Sequence, residues 1–292
     1  MSRRFQAEFL LLAAIWGASF LFMRVTAPSF GPIPLMLLRC AVGAVVLLPV
    51  LLFGRDRAAI VTALRGNGWQ LIVVGVLNSA VPFVLFGFAA LSLNAGFASI
   101  LNATAPIFGA LIGYLWWRER LRGWRIAGLA IGIFGVVVLS WERASFHEGG
   151  SGWAIVAALG ATFCYGLVGN FAKRELSGLD PLLIAIGSLV IASLALLVPG
   201  ILLWPVVSPA AADWAYAIAL GALSSGVAYL LYYRLLANAG PSAALSVTYL
   251  IPVFGVFWGW AFLGETVDAA TLSGGAIVLL GTAFATGVLP RR

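Results

Sequence analysis

Long apolar runs separated by short polar connections dominate the hydrophobic pattern of this chain. A helix that crosses a membrane needs about 20 mainly apolar residues, and ten successive runs meet that length. Most connections are short, whereas the stretch from Arg55 to Gly68 is long enough for a small interfacial helix. The pattern predicts an all-α integral membrane protein with ten transmembrane helices, near residues 6–26, 33–53, 69–92, 96–117, 122–141, 150–171, 181–204, 213–236, 241–262 and 269–289.

The fourth and ninth runs carry the same string of residues. In each run a proline, a phenylalanine, two glycines and a glutamate follow one another at identical spacing. Other positions match in the same order, such as Asn94 with Asn238 and Pro34 with Pro181. A repeat of this length indicates that one structural unit was duplicated, with units at 1–146 and 147–292. The matching strings are Pro106, Phe108, Gly109, Gly113, Glu119 and Pro252, Phe254, Gly255, Gly259, Glu265.

Lysine and arginine residues predict the orientation of the helices. With the N-terminus inside, fourteen basic residues fall on the cytoplasmic side and only Arg143 falls on the other. Cytoplasmic loops carry such an excess, so both termini are expected in the cytoplasm. Each unit has five helices, an odd number, so the units are inverted, with Glu119 inside and Glu265 outside. Inverted repeats give two equivalent but opposite conformations, which is the basis of alternating access in secondary transporters.

Composition argues against several other classes. Hydrophobic residues form 62% of the 292 positions and charged residues 9%, whereas a soluble domain is about 25% charged. The net charge of +7 lies in the connections, which fits a lipid headgroup surface rather than a nucleic acid partner. The sequence shows no cluster of His, Asp or Cys that would suggest an enzyme, a metal site or a cofactor. Cys40 and Cys164 are interpreted as small packing residues.

These features together resemble the EamA group of the drug/metabolite transporter superfamily. The resemblance rests on the five-plus-five helix plan, on Trp16-Gly17 in the first helix and on the two proline-to-glutamate strings. It implies a basket in which helices one to four and six to nine surround a central cavity, with helices five and ten at the periphery. It also implies a bacterial inner-membrane exporter of amino acids or related small metabolites. Efflux of drug-like or toxic compounds is the alternative within transport, and a non-transporting membrane scaffold or lipid-modifying enzyme is the alternative outside it.

Polar residues inside the predicted helices are candidates for the transport pathway, because in hydrocarbon they need a partner or a water-filled cavity. Asparagine near a proline, whose ring frees a carbonyl one turn earlier, suits recognition of an ammonium and a carboxylate by neutral dipoles. Deep aromatic rings can stack on an apolar side chain or a cation. The alternative is that these residues only pack helices together. The predicted substrate-binding residues are Trp16, Asn78, Phe83, Ser99, Asn102, Tyr165, Ser225, Tyr229, Thr248 and Tyr249, with hinges at Pro82, Pro106 and Pro252.

Charged residues refine the predicted mechanism. All ten acidic residues fall in connections or at helix ends, whereas proton-driven pumps usually place a carboxylate or histidine inside the membrane. We therefore expect a facilitator without proton coupling. Arg39 could attract a substrate carboxylate, but extension of its side chain to the outer interface is the simpler interpretation. Glu119 and Glu265 are expected to pair with arginines, to cap helix N-termini or to latch a closed state.

Small residues form close-contact faces on the fifth and tenth helices. Gly128, Gly132 and Gly135 lie on the fifth helix, and Gly274 and Gly281 lie on the tenth. Small residues let helix backbones approach closely in membranes. The pattern predicts either a peripheral support within one chain or the interface of a homodimer.

Overall fold

A computed structural model describes residues 3–54, 57–121, 123–141, 143–147 and 149–287 of the chain. Every regular element in this part is helical, and ten helices are long and apolar enough to cross a membrane. The prediction of an all-α membrane protein with ten spans is therefore confirmed, although the expected end of the last span at residue 289 lies outside the described residues. We number the spans one to ten in chain order: Arg4–Phe30, Pro32–Phe53, Gly68–Ala89, Ala95–Trp117, Gly123–Ser140, Gly152–Glu175, Pro181–Leu202, Ala211–Gly240, Ser246–Leu263 and Ala269–Thr286.

Six of the spans are uninterrupted helices. Span seven shows how local sequence sets a helix start, because Asp180 accepts a hydrogen bond from the Leu182 backbone N–H at 2.9 Å and Pro181 occupies the first helical position. A short helix, Arg57–Gly66, fills the connection before span three, as expected. The six helices are Arg3–Phe30, Pro32–Gly54, Gly123–Ser140, Gly152–Glu175, Pro181–Leu202 and Ala269–Thr286.

Spans three and eight each contain a wide helical turn near the membrane centre. Hydrogen bonds in these turns follow the π pattern, over Gly75–Ala80 in span three and Leu220–Val227 in span eight. Pro82 follows the first of them directly. No proline lies in the second, whose glycines and serines also favour local distortion. The flanking helices are Gly68–Val74, Val81–Ala89, Ala211–Ala219 and Ala228–Leu245.

Spans four and nine are broken at equivalent positions. Span four consists of Ala95–Asn102 and Ala105–Trp117. Span nine has a 3₁₀ turn, Ser246–Tyr249, before the helix Ile251–Leu263. Pro106 and Pro252 each lie at the start of the second helix, where a missing N–H removes no intrahelical bond. The breaks leave backbone groups near the membrane centre outside regular helical bonding. On the cytoplasmic side, the chain turns from span eight into span nine at Gly240, where φ is +81°.

The two repeats interdigitate rather than lie side by side. Span two of the first repeat packs on spans seven and eight of the second, and span seven packs in turn on span three. Span six packs on spans three and four, just as span one packs on spans eight and nine. Spans five and ten pack on each other at the edge of this group. The glycine faces on those two spans are thus used within one chain, which favours the peripheral support of the two predicted roles.

Glycines at two mirror-related crossings allow backbones to approach closely. A Cβ on Gly17 would lie 2.6 Å from the Cβ of Phe254 in span nine, and a Cβ on Gly166 would lie 2.6 Å from the backbone nitrogen of Gly109 in span four. Real Cβ atoms do not approach other atoms that closely, so neither crossing has room for a side chain. The duplicated sequence thus produces the same crossing twice, once in each orientation.

Apolar side chains cover the outer surface of the helix group. On span seven, Leu194, Val198 and Leu202 are 65%, 64% and 77% exposed. The i, i+4 spacing of these residues places them along one helix face. In water such a surface would be unfavourable, whereas in a bilayer it contacts lipid chains.

Candidate functional site

Arg39 of span two is buried between the two repeats. Its side chain is 7% exposed, its Nε donates a hydrogen bond to the Ser225 Oγ of span eight at 3.1 Å, and its Cζ lies 3.7 Å from the ring centroid of Phe83 in span three. Its Nη1 also lies 3.6 Å from the Met23 sulfur of span one. The interpretation that Arg39 extends to the outer interface is therefore wrong. Arg39 lies opposite the wide turn of span eight, and its side chain donates a hydrogen bond to Ser225 in that turn.

Aromatic and amide groups from both repeats surround this guanidinium. The phenol groups of Tyr165 in span six and Tyr229 in span eight lie close enough to interact electrostatically with Arg39. The Asn78 side chain of span three faces the Tyr229 hydroxyl, and the Tyr165 ring stacks on Phe86 with centroids 6.3 Å apart. We call Arg39, Asn78, Phe83, Tyr165, Ser225 and Tyr229 the central site.

Trp16 joins span one to the edge of the central site. Its ring packs edge-on against Tyr229, with centroids 6.4 Å apart, and at a tilt against Tyr232, with centroids 5.5 Å apart. Its Nε1 donates a hydrogen bond to the Ser224 carbonyl at 3.2 Å. That carbonyl belongs to the wide turn of span eight, so the indole satisfies a group in distorted backbone. Wide helical turns occur frequently at functional sites.

Asn102 lies at the break of span four. Its side chain is half-buried and makes no hydrogen bond to another residue in the described part of the chain. The neighbouring Thr104, in contrast, is fully occupied, donating to the Leu101 carbonyl at 2.7 Å and contacting Thr162 Oγ1 at 3.0 Å. Asn102 therefore presents a free amide beside the Pro106 break.

The structure places three other predicted site residues outside the central site. Ser99 is fully buried between spans four and nine and donates to the Gly96 carbonyl at 2.7 Å. Thr248 donates to its own segment, to the Leu245 carbonyl at 2.8 Å. The Tyr249 hydroxyl contacts Thr286 Oγ1 of span ten at 2.5 Å. Only the Tyr249 bond joins two spans, whereas the bonds of Ser99 and Thr248 stay within their own segments. Substrate binding by these three residues stays a prediction.

Glu119 and Glu265 occupy equivalent places at the ends of spans four and nine. Both second helices end in a left-handed residue, Arg118 with φ of +54° and Gly264 with φ of +63°. The Glu119 backbone N–H donates to the Gly113 carbonyl at 3.0 Å, and the corresponding bond of Glu265 measures 3.1 Å. The same turn thus directs each carboxylate back over its helix.

The partners of the two carboxylates differ. Glu265 accepts hydrogen bonds from the backbone N–H of Ala95 at 2.9 and 3.0 Å and from that of Gly96 at 3.5 Å, so it caps the N-terminus of span four. Glu119 pairs instead with Arg174 at 3.0 Å and Lys173 at 3.5 Å, both in span six. One glutamate therefore joins spans four and nine, and its mirror counterpart does not.

Spans four and nine consequently meet on only one side of the membrane. The helix Ala95–Asn102 packs along Ile251–Leu263 on the side that the basic residues assign to the exterior. Within the described residues, Ala105–Trp117 has no comparable packing against residues 241–249, which lead from the Gly240 turn into the start of span nine. Spans four and nine therefore pack together on that side, and the equivalent packing on the other side is absent from the described residues.

The structure brings five of the predicted site residues together around Arg39, and their binding of substrate stays a prediction. Asn78, Phe83, Tyr165, Ser225 and Tyr229 were predicted from depth and polarity alone. Arg39 was assigned elsewhere, and its depth within an apolar run was the only available signal. No three His, Cys, Asp or Glu side chains of the described residues lie together in a way that could hold a metal ion.

Ten spans in two inverted halves, with a polar and aromatic site between them, define a multi-pass membrane transporter rather than an enzyme. Comparison with known proteins specifies the family. The model of the EamA-like transporter family matches residues 7–141 and again residues 152–287. The chain belongs to this family.

Several relatives match over most of the chain. The uncharacterized transporter YoaV of Bacillus subtilis is 24% identical over 95% of both chains. A "probable terminal-alkyne amino-acid exporter" of Streptantibioticus cattleyicolor is 26% identical over 93% of this chain and 89% of its own. The pseudopaline exporter CntI of Pseudomonas aeruginosa is 25% identical over 75% of both. A crystal structure matches with a TM-score of 0.67 and 19% identity over 99% of this chain and 98% of the other, which supports the fold.

Proposed function

We propose that this transporter exports amino acids or similar small metabolites across a bacterial inner membrane by alternating access. Units 1–146 and 147–292 would exchange roles during the cycle, and the central site would face each side in turn. The observation that carries the proposal is the asymmetry of Glu119 and Glu265. Two residues in equivalent local geometry have different partners, which is the arrangement expected when an inverted pair is caught in one of its two states.

The asymmetry also supports an assignment of the conformational state. Glu265 holds the outer ends of spans four and nine together, whereas Glu119 is turned to span six on the cytoplasmic side. The conformation is therefore inward-facing in this proposal. The opposite state would release Ala95 from Glu265 and bring Glu119 to the N-terminus of span nine.

Export of an amino acid or related metabolite is supported by two kinds of observation. Two relatives carry names of exporters, one for an amino acid and one for pseudopaline. The central site and Asn102 combine a cation, amides, hydroxyls and aromatic rings, groups that suit a small polar molecule with an apolar part. Drug-like compounds are the alternative, favoured by the aromatic group of Trp16, Tyr229 and Tyr233, the last two stacked at 6.1 Å.

We further propose facilitated transport without proton coupling. The acidic residues among those described lie in connections or near span ends. Glu8, the one furthest into a helix, is paired with Arg4 and Arg234 near the cytoplasmic end of span one. A proton-coupling group is usually a carboxylate or histidine within the membrane, and the central site contains neither.

The test is transport of radiolabelled amino acids into proteoliposomes, with wild type beside Asn78→Ala and Asn102→Ala. Removing a polar partner of a bound substrate costs about 1–3 kcal/mol, so we expect transport by either variant to fall about tenfold. Asn67→Ala is the matched control, because Asn67 bonds only to its own segment before span three, through the Ala63 carbonyl.

Three results would count against parts of the proposal. A wild type that moves drug-like cations but no amino acid would favour the alternative substrate class. Accumulation against a gradient driven by a pH difference would contradict the facilitator mechanism. Equal losses in all three asparagine variants would show that Asn78 and Asn102 act through folding and not through substrate.

A further inference from the structure

Arg39 is a buried cation without an acidic partner in the described residues. The ion pairs of the described part join other residues, and each lies toward an end of the spans. A cation inside the membrane is unfavourable unless it is paired or solvated, and such residues mark functional sites. Phe83 and Ser225 solvate Arg39 partly, but neither carries a negative charge.

The guanidinium also has unused hydrogen-bond donors. Arginine has five N–H groups in a planar fork, and the described contacts of Arg39 use one toward Ser225 and one toward the Met23 sulfur. The remaining donors match the two oxygens of a carboxylate, which arginine binds in a bidentate manner. The Tyr165 and Tyr229 hydroxyls lie near the same guanidinium, and the Asn78 side chain faces Tyr229, so neutral polar groups accompany the charge.

The duplication shows that the fold itself does not need this charge. Arg39 follows Pro34 by five positions, and Ile186 follows the matching Pro181 by five positions. Ile186 is 3% exposed and belongs to the apolar core. The second repeat thus builds the equivalent helix with an apolar side chain. A structural role common to both repeats cannot account for Arg39, so its role is specific to the first repeat.

We propose that Arg39 binds the carboxylate of the transported molecule, which makes the substrate a monocarboxylate such as an amino acid. This rests on the proposed function and adds the chemical group that is recognised. A single arginine neutralises a single negative charge, whereas a phosphate carrying nearly two charges would require a second cation. The described residues place none beside Arg39. The aromatic rings of Tyr229 and Trp16 then receive the remainder of the substrate.

The experiment compares matched probes that differ only in this group. Proteoliposomes with wild-type protein are tested with radiolabelled leucine and phenylalanine, with leucinamide and phenylalaninamide, and with inorganic phosphate. We expect wild type to transport the carboxylates at least tenfold faster than the amides and not to transport phosphate. Arg39→Gln should abolish the preference, and Arg39→Lys, which keeps the charge but loses the planar fork, should retain part of it. Arg24→Gln is the control, because Arg24 donates to the carbonyls of Ala90 and Leu91 at the outer end of span three and should keep the full preference.

Thermal unfolding of the wild-type protein is a second measurement, and it does not depend on the folding of any variant. Leucine and phenylalanine should raise the thermal unfolding temperature of purified wild type, and the two amides should not. Equal transport and equal stabilisation by acids and amides would overturn the role of Arg39 while leaving export intact. Transport of phosphate but not of the carboxylates would overturn the substrate class. Failure of wild type to move any of the probes would overturn the proposed function together with this inference.

Discussion

At the scale of single residues, polar side chains in this protein bond to backbone carbonyls of neighbouring spans. Thr282 Oγ1 donates to the Ala103 carbonyl, at the break of span four, at 2.9 Å. Arg24 donates to the carbonyls of Ala90 and Leu91 at 2.8 and 2.9 Å. An unsatisfied carbonyl in hydrocarbon costs several kcal/mol, so these bonds fix the contacts between spans.

Asp268 provides a pH-dependent example outside the spans. The Thr271 side chain and backbone N–H facing its carboxylate, together with the neighbouring Arg143, hold the pKa of Asp268 below its ordinary value of 3.8. A lowered pKa in the folded state stabilises the protein above the unfolded pKa, and that contribution is lost as the pH falls through the folded pKa. Asp268→Asn should therefore unfold at a lower temperature than wild type at pH 6, and the difference should shrink as the pH falls below 3.8.

Thermal unfolding in detergent between pH 6 and pH 3 measures this difference. Asparagine still caps a helix N-terminus, so the substitution isolates the charge. Arg143→Gln, which removes the partner across the ion pair, should reproduce part of the effect. A difference between wild type and Asp268→Asn that stays constant over the whole range would contradict the assignment.

At the scale of helices, close crossings and wide turns set the geometry around the central site. The crossing at Gly166 brings span six against span four, and Tyr165 beside it reaches toward Arg39. The wide turn Leu220–Val227 of span eight places Ser225 on the same guanidinium. Residues of the central site thus lie beside a close helix crossing or within a wide helical turn.

Gly166→Ala should test the crossing against a control in the same helix. A Cβ on Gly166 would lie 2.6 Å from the Gly109 nitrogen, whereas one on Gly169 would meet nothing within 4 Å. We expect Gly166→Ala to destabilise the protein by about 1–3 kcal/mol through overpacking. Gly169→Ala should be neutral or stabilise the helix by up to about 1 kcal/mol, since alanine favours helix over glycine. Thermal unfolding of the two variants measures both effects, and equal stability of the two would contradict the crossing.

At the scale of the whole molecule, the inverted repeats are equivalent in sequence pattern but not in contacts. The crossing of span one with span nine at Gly17 and the crossing of span six with span four at Gly166 are both formed. These two contacts are therefore equivalent in the two repeats. The contact between spans four and nine is made on one side alone. In the proposed alternating-access cycle, the other state would open that contact outside and form it inside.

Glu265→Gln should shift the balance of states toward outside opening. A carboxylate at a helix N-terminus contributes about 0.3–2 kcal/mol, so loss of its charge should raise the open population about two- to thirtyfold. Ser99→Cys reports the change, because Ser99 is fully buried at the outer contact of spans four and nine. The native cysteines, Cys40 and Cys164, are replaced by alanine so that a membrane-impermeant maleimide added outside labels only the reporter.

Glu119→Gln is the matched control for this measurement. Glu119 pairs with Arg174 of span six and not with span nine, so its substitution should not accelerate labelling of the reporter from outside. Faster labelling by Glu265→Gln alone would support the latch. Unchanged labelling in Glu265→Gln, or an equal increase in both variants, would contradict it.

Much of the architecture was predictable because it depends on local composition. The ten apolar runs correspond to ten spans, and the proline-to-glutamate strings correspond to the second helices of spans four and nine. The wide turn of span eight was not predicted, because no proline marks it. The bond of Tyr249 to Thr286 of span ten was also not predictable, since the two partners are far apart in sequence.

The sequence by itself determined the membrane class, the number of spans, the duplication and the inverted orientation. Each of these follows from the apolar length of a segment, from the spacing of its residues or from the distribution of basic residues between connections. Only the tertiary structure decided that Arg39 is buried against Ser225 and Phe83, and that Glu265 rather than Glu119 joins spans four and nine. The burial of Arg39 depends on which helices of the two repeats face each other. The difference between Glu265 and Glu119 depends on which of two equivalent arrangements the molecule adopts, and a nearly symmetric sequence pattern cannot distinguish those arrangements.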